Sequence, residues 1–382
     1  MKQLKASIIL SLFLLTIPTH IFAKVSGGCA NCHTMHNSQN GNTVFADGPQ
    51  LSLLNNTCIG CHSHTSAAIY DLGECKVPVV YTTGGIDYGD SLAGGNFYWV
   101  EHNGDVYGHN AISNIDGNLG MGPGLSDQAG AFGCTTSCHY SLAHWKWPWP
   151  SEWVDGNGCI ACHTPAHHKG GSDTDIADEE NGWFRFLAKR HAQGPGTDLR
   201  NVKGLEDADW QQTASSTDHN EYWDIPAYGG FGNAGISRFC NSCHTDFHST
   251  RFGPWSGNGG FKAGPGGGWH TSPWFRHPSG IYLPAFGETS KYNTDGTGPP
   301  GVPGMFNPDV PVARQFIDTV TGPSSTVTTG NGGDMVSCIS CHRAHGSPYP
   351  DMLRWDYSGQ LAGGGGDDGT GCFVCHTTKD SE

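Results

Sequence analysis

Hydrophobic positions along the chain rarely keep a period long enough to define a regular element. Clusters of Gly, Pro, Asn, Asp and Ser interrupt nearly every ten-residue window, as at 84–96, 117–124, 254–268 and 294–308. Such clusters mark turns and loops. Residues 183–190 (WFRFLAKR) and 311–320 are the better candidates for short helix or strand pieces. One longer apolar run stands out, Ile8 to Ile17, broken only by Ser11 and Thr16. It follows Lys2 and Lys5 and leads to a segment ending in the small residue Ala23, the order of a secretory signal peptide. About ten apolar residues are too few to span a bilayer. The pattern predicts a signal peptide over residues 1–23 and an exported chain over 24–382. The fold should be mostly irregular, with a few short helices and minimal strand.

Composition sharpens the question of what orders such a chain. Of 382 residues, 57 are glycine and 22 proline, only 36% are hydrophobic and only 14% are charged. That is too little apolar side chain for a conventional core, and too little charge for charge-driven disorder. The balance of 20 Lys+Arg against 35 Asp+Glu argues against nucleic acid and against anionic membrane surfaces, since both need a basic footprint. The unusual numbers are 15 cysteines and 21 histidines.

Fourteen of those cysteines fall into seven Cys-spacer-Cys-His units. Six are CxxCH: Cys29-Cys32-His33, Cys58-Cys61-His62, Cys159-Cys162-His163, Cys240-Cys243-His244, Cys338-Cys341-His342 and Cys372-Cys375-His376. The seventh, Cys134-Cys138-His139, has one more spacer residue. CxxCH is the attachment motif of c-type haem: two thiols form thioethers with the vinyl groups of one porphyrin, and the adjacent histidine reaches the iron. Zinc half-sites, iron–sulfur clusters and a disulfide framework do not call for a histidine after every second cysteine. Seven covalently attached haems would also replace the missing core, because each porphyrin is a large apolar plate. Cys75 is left over and reads as an incidental thiol. The longer Cys134 unit keeps one alternative, a pair of cysteines bonded to each other.

An electron carrier fills both axial positions of each iron, whereas an enzyme leaves one open. Setting aside His20 and the seven proximal histidines leaves thirteen, more than enough for bis-histidine ligation throughout. His36, His144, His167 or His168, His248 and His345 follow a proximal histidine by three to five residues. Each is too close to reach the far face of its own haem and is well placed to bind another. His109 in Gly108-His109-Asn110 and His277 in Arg276-His277-Pro278 are the remaining candidates. His64 ranks lower, and His102, His191, His219 and His270 read as surface or propionate-side residues. Short intervals pair the first motif with the second, the third with the fourth and the sixth with the seventh.

The aromatic run Trp145-Lys146-Trp147-Pro148-Trp149 reads as packing against porphyrin. The acidic stretch Asp173, Asp175, Asp178, Glu179, Glu180 reads as a solvated turn, because it lacks the glycine and spacing of a calcium loop. No linker resembles a domain boundary, so residues 24–382 read as one heptahaem domain.

Several segments resemble the hexahaem OmcS-type outer-surface cytochromes of metal-reducing bacteria. They are Gly28-Cys29…Cys32-His33-Thr34-Met35-His36-Asn37-Ser38, Gly108-His109-Asn110, Cys240…Cys243-His244-Thr245-Asp246-Phe247-His248, Arg276-His277-Pro278 and Cys338…His342-Arg343-Ala344-His345. They run in the family's order and are silent over the loops between. That resemblance implies filaments in which stacked bis-histidine haems carry electrons along a homopolymer. It also implies that His36 binds the iron of the Cys338–His342 haem in a neighbouring subunit. The chain departs from the family in having seven motifs, with Cys134–His139 and Cys159–His163 where the family has one unit; His144 would be the natural extra ligand.

The leading reading is an extracellular electron-transfer cytochrome at the outer-membrane surface. Its donors would be other multihaem cytochromes, and its acceptors metal oxides, electrodes or partner cells. A non-polymerising periplasmic or surface shuttle is the close rival. A multihaem oxyanion reductase is the third, and it would need a five-coordinate iron and basic residues around it; the histidine surplus and the acidic charge point away from both.

Overall fold

The computed structural model describes most of residues 25–109, together with 159–168, 176–188, 201–226, 234–241, 277–292 and 304–376, with short breaks inside several stretches. The signal segment, the aromatic run and the motif residues Cys134, Cys138, His139, His144, Cys243, His244 and His248 lie outside them. As the composition predicts, the described chain is mostly loop. Its helices are single turns or little more: α1 (Cys58–Cys61), α2 (Tyr98–Asn103) and α3 (Ile236–Asn241). Among the described residues no helix is long and apolar enough to cross a membrane.

The strand content is small but organised in a way the sequence does not signal. Seven strands of two to five residues form one sheet: β1 (Ile176–Ala177), β2 (Gly204–Leu205), β3 (Glu221–Ile225), β4 (Ala234–Gly235), β5 (Ile281–Tyr282), β6 (Ala313–Arg314) and β7 (Met335–Val336). Their order is β5-β7-β6-β3-β2-β1, with β4 also on β3. All pairs are antiparallel except β6 with β3, where Ala313 faces Tyr222. The candidate segment 311–320 thus supplies β6 and a 3-10 turn at Ile317–Thr319. Within 183–188, the described part of the other candidate, a short 3-10 turn forms at Phe184–Phe186, kinked at Arg185.

Two small apolar clusters flank this sheet. One gathers Leu283, Tyr292, Phe306, Val310, Val327 and Val374 beneath the C-terminal motif, with Cys375 packed on it. The other gathers Ala177, Phe184, Val202, Tyr222, Ile236 and Ala313. Between them lies a buried polar knot. Arg314 donates through Nε (2.7 Å) and Nη2 (3.1 Å) to Glu221, and through Nη1 to Asp334 (2.5 Å). The carboxylate of Glu221 also receives the Ser324 N–H at 2.8 Å.

The sheet places haem motifs. β4 runs directly into α3, which carries Cys240, and β7 runs directly into the turn at Cys338–Ser340. Gly235 makes the first junction possible: its φ is +84°, and a Cβ there would sit 2.1 Å from the Trp223 carbonyl oxygen. Only glycine tolerates that approach.

Candidate haem-binding sites

Each described CxxCH closes one helical turn. The histidine N–H donates to the carbonyl of the first cysteine in the motifs at Cys29 (2.8 Å), Cys58 (2.8 Å), Cys159 (2.9 Å), Cys338 (3.1 Å) and Cys372 (3.0 Å). That turn brings the two cysteines together and sends the imidazole outward, as attachment to one porphyrin requires. Side chains brace the turns: the Thr57 hydroxyl accepts the Gly60 N–H at 3.0 Å, and Ser340 donates to the Pro311 carbonyl at 2.6 Å.

Four proximal histidines meet a second imidazole. The ring centroids are 5.9 Å apart for His33 and His168, 6.3 Å for His62 and His167, 6.0 Å for His163 and His345, and 5.9 Å for His376 and His277. Two imidazoles on opposite faces of one metal, with metal–nitrogen bonds of about 2 Å and about 1.1 Å from nitrogen to ring centre, lie roughly 6 Å apart. The spacing fits an iron between each pair. The sequence leaves His167 and His168 as alternatives; in the structure each faces a different motif, His167 that of His62 and His168 that of His33.

Tautomer and charge agree with that fit. Nδ1 of His62, His163, His342 and His109 lies 2.8–2.9 Å from the carbonyls of Pro78, Arg185, Asp351 and Ala344. An Nδ1–H donated there leaves the Nε2 lone pair for a metal. Burial holds these imidazoles and His167 below the usual histidine range. His345 is pushed down to about 3 by burial and by His163, His109 and His62. Neutral imidazole is the form that ligates. The buried Nδ1 of His345 has no hydrogen-bond partner among the described residues, and its ring is held by Phe97, stacked at 4.7 Å, and by Gly94, whose added Cβ would lie 2.9 Å from Nδ1.

The lower-ranked histidines are engaged differently. Nδ1 of His64 accepts the N–H groups of Ser66 (3.2 Å) and Ala67 (2.9 Å), so its proton belongs on Nε2, the atom a ligand would need free. Both ring nitrogens of buried His219 are engaged, with Ser215 and Glu221, and its ring stacks on Phe306 at 3.5 Å. His102 lies on Tyr98 at 3.8 Å. His36 is exposed. Among the described residues no imidazole faces it, and none faces His342 in the way the four pairs do. His109 is close enough to depress both His342 and His345.

The attachment cysteines also come close across motifs. Cys58 and Cys159 lie close enough to shift each other's thiol pKa, and so do Cys240 and Cys338. The expected closeness of first to second and sixth to seventh motifs is matched by the electrostatic influence of Cys32 on Cys61 and of Cys372 on Cys341. The contacts that close the long intervals were not legible from spacing.

One feature of the sites is absent from any motif reading. The residue after each of three proximal histidines donates its N–H to a residue of positive φ: Thr34 to Leu53 (2.7 Å, φ +57°), Thr164 to Phe186 (2.8 Å, φ +60°) and Arg343 to Met352 (2.9 Å, φ +58°). The next residue is a leucine that bridges to the histidine itself: Leu54 to His33, Leu187 to His163, Leu353 to His342. In two cases the residue before the pair, Arg185 or Asp351, also has positive φ and offers its carbonyl to the imidazole. The only sequence trace is a recurring apolar-Leu pair, Leu53-Leu54, Phe186-Leu187 and Met352-Leu353.

Single-turn CxxCH units, imidazoles that face one another and a sparse protein core are what covalent attachment of c-type haem calls for. Residues 330–381 match the family described as "Doubled CXXCH motif". The protein is similar to the C-type cytochrome OmcS of Geobacter sulfurreducens, at 25% identity across 88% of this chain and 81% of that one. Among solved structures it is similar to the OmcS nanowires of the same organism determined by cryo-EM, with a TM-score of 0.48, 18% identity, and coverage of 94% of this chain and 93% of that one. A second structure, the outer-membrane cytochrome S filament, gives a TM-score of 0.43 at 19% identity over 88% and 85%.

Proposed function

We propose that residues 24–382 form a single heptahaem electron carrier that works outside the cell as the subunit of a homopolymeric filament. The observation that carries electron transfer over catalysis is the set of four facing imidazole pairs at 5.9–6.3 Å. A histidine on each side of an iron leaves no position for a substrate. The haem irons, when bound, supply the one-electron couples. The chain contributes their placement: the nearness of Cys58 to Cys159 and of Cys240 to Cys338 gathers attachment cysteines of different motifs, and the facing imidazoles supply the axial groups. With His36 on the His342 site, two irons remain, those of His139 and His244, and two of His109, His144 and His248 would complete them in this reading, the last two lying outside the described residues.

Polymerisation is supported by a complementary pair of loose ends. Among the described residues no imidazole faces exposed His36, and none faces His342 as in the four pairs. His36 of one copy therefore completes the Cys338–His342 site of the next, in an open, heterologous contact that propagates as a filament. Other multihaem cytochromes would donate electrons, and metal oxides or partner cells would accept them. The test is cryo-electron microscopy of the sheared cell-surface fraction, from the parent strain and from one carrying His36→Ala. Filaments with seven haems per repeat in the parent, and discrete particles with one altered haem in the variant, are expected. Filaments that persist unchanged in the variant remove the intersubunit ligand. Discrete particles in both reduce the function to a shuttle.

A further inference from the structure

The backbone around Arg185 is the most constrained feature of the described chain that the proposed function leaves unexplained. Trp183, Arg185 and Phe186 have φ of +64°, +47° and +60°, a region that side chains with a Cβ occupy at a cost. The kink has two outputs. The Arg185 carbonyl lies 2.8 Å from Nδ1 of His163, and the Phe186 carbonyl accepts the Thr164 N–H at 2.8 Å. It also has one conspicuous restraint. Glu206 accepts the Arg185 backbone N–H at 2.6 Å while its other oxygen lies 3.8 Å from the same residue's guanidinium. The guanidinium reaches the Asp207 carbonyl and Asn220 Oδ1 (3.2 Å), and it lies over Trp210 at 5.5 Å. At the comparable position beside His342, Asp351 is exposed and carries no such clamp.

We propose that Arg185, clamped by Glu206, is a positioning residue that holds its own carbonyl on His163 and thereby sets the reduction potential of the Cys159–Cys162 haem. This rests on the reading that His163 binds iron. An imidazole that donates Nδ1–H to a carbonyl is a more basic ligand, and a more basic ligand favours the ferric state, which lowers the potential. The site is a junction: Cys159 lies close to Cys58, and His345 reaches His163 from the far half of the chain. Its potential therefore governs the height of a central step.

The test compares Arg185→Ala with Arg185→Gly in the holoprotein by spectroelectrochemical titration. Both lack the guanidinium, so their difference isolates the backbone. Glycine takes φ +47° without a clamp, whereas alanine relaxes away and withdraws the carbonyl. One couple in the alanine variant should lie above its counterpart in the glycine variant, by a several-fold change in the ferric-to-ferrous ratio at fixed potential; tenfold corresponds to about 59 mV for one electron. If the alanine variant fails to retain haem, Glu206→Leu, which removes the acceptor of the Arg185 N–H, should move one couple in the same direction against the parent. Coincident couples in the two Arg185 variants, or no shift in Glu206→Leu where that comparison is used, overturn the proposal. A His163→Ala variant with every haem still low-spin would instead sink the ligand reading beneath it.

Discussion

His163 and His345 come from opposite halves of the chain, yet their imidazole centroids lie 6.0 Å apart with planes tilted by 54°. In the proposed reading, a single iron between them would tie two distant segments together. Replacing His345 with alanine should leave one ferric haem five-coordinate or water-bound, visible as a high-spin signal in low-temperature EPR, while the other haems stay low-spin. A spectrum with no new high-spin component would show that His345 is not an axial group.

His167 and His168 are adjacent in sequence and face different imidazoles, those of His62 and His33. His167→Ala and His168→Ala should each perturb one haem, and the double variant two. The same two pairs have ring planes within 20° and 25° of parallel, whereas His277 and His376 are at 76°. Ferric EPR of the parent should therefore contain rhombic signals from near-parallel pairs and large-g signals from near-perpendicular ones. If one of the two single variants is spectroscopically silent, only its neighbour is a ligand.

Arg314 neutralises two buried carboxylates, Glu221 and Asp334. Arg314→Met should destabilise the fold by about 3–5 kcal/mol, because removing one partner leaves the others charged and unpaired in the interior. Adding Glu221→Gln and Asp334→Asn to that variant should recover part of the loss. Urea unfolding followed by circular dichroism measures both, and a loss that the added changes leave untouched would count against an electrostatic origin.

Asp207 gives a pH dependence with a defined sign. Burial, then a hydrogen bond and charge from Asp209, push its carboxyl from 3.8 up to about 6. Between those values the folded chain holds a proton that the unfolded chain has lost, so this group's contribution falls as pH rises through the window. Asp207→Asn should raise the thermal midpoint near neutral pH, and the gain should vanish below about pH 4. An equal gain at both pH values would assign it to packing.

The sequence by itself determined the chemistry. Cys-x-x-Cys-His is a local device: one helical turn is enough to set two thiols and an imidazole, and five residues specify it. The same holds for the irregular fold, since Gly and Pro clusters deny any long element and the apolar fraction is too small for a conventional core. His64 and His219, which the sequence ranked low, meet nearby groups such as Ala67 and Glu221. Tertiary structure decided the pairing. Which imidazole faces His163 depends on a contact with His345 that no periodicity records. The sheet that aligns Cys240 beside Cys338 is built of strands too short to have a signature. The positive-φ brackets at Phe186 and Met352 are likewise invisible in sequence, because ordinary residues adopt that backbone only when surrounding hydrogen bonds hold them there.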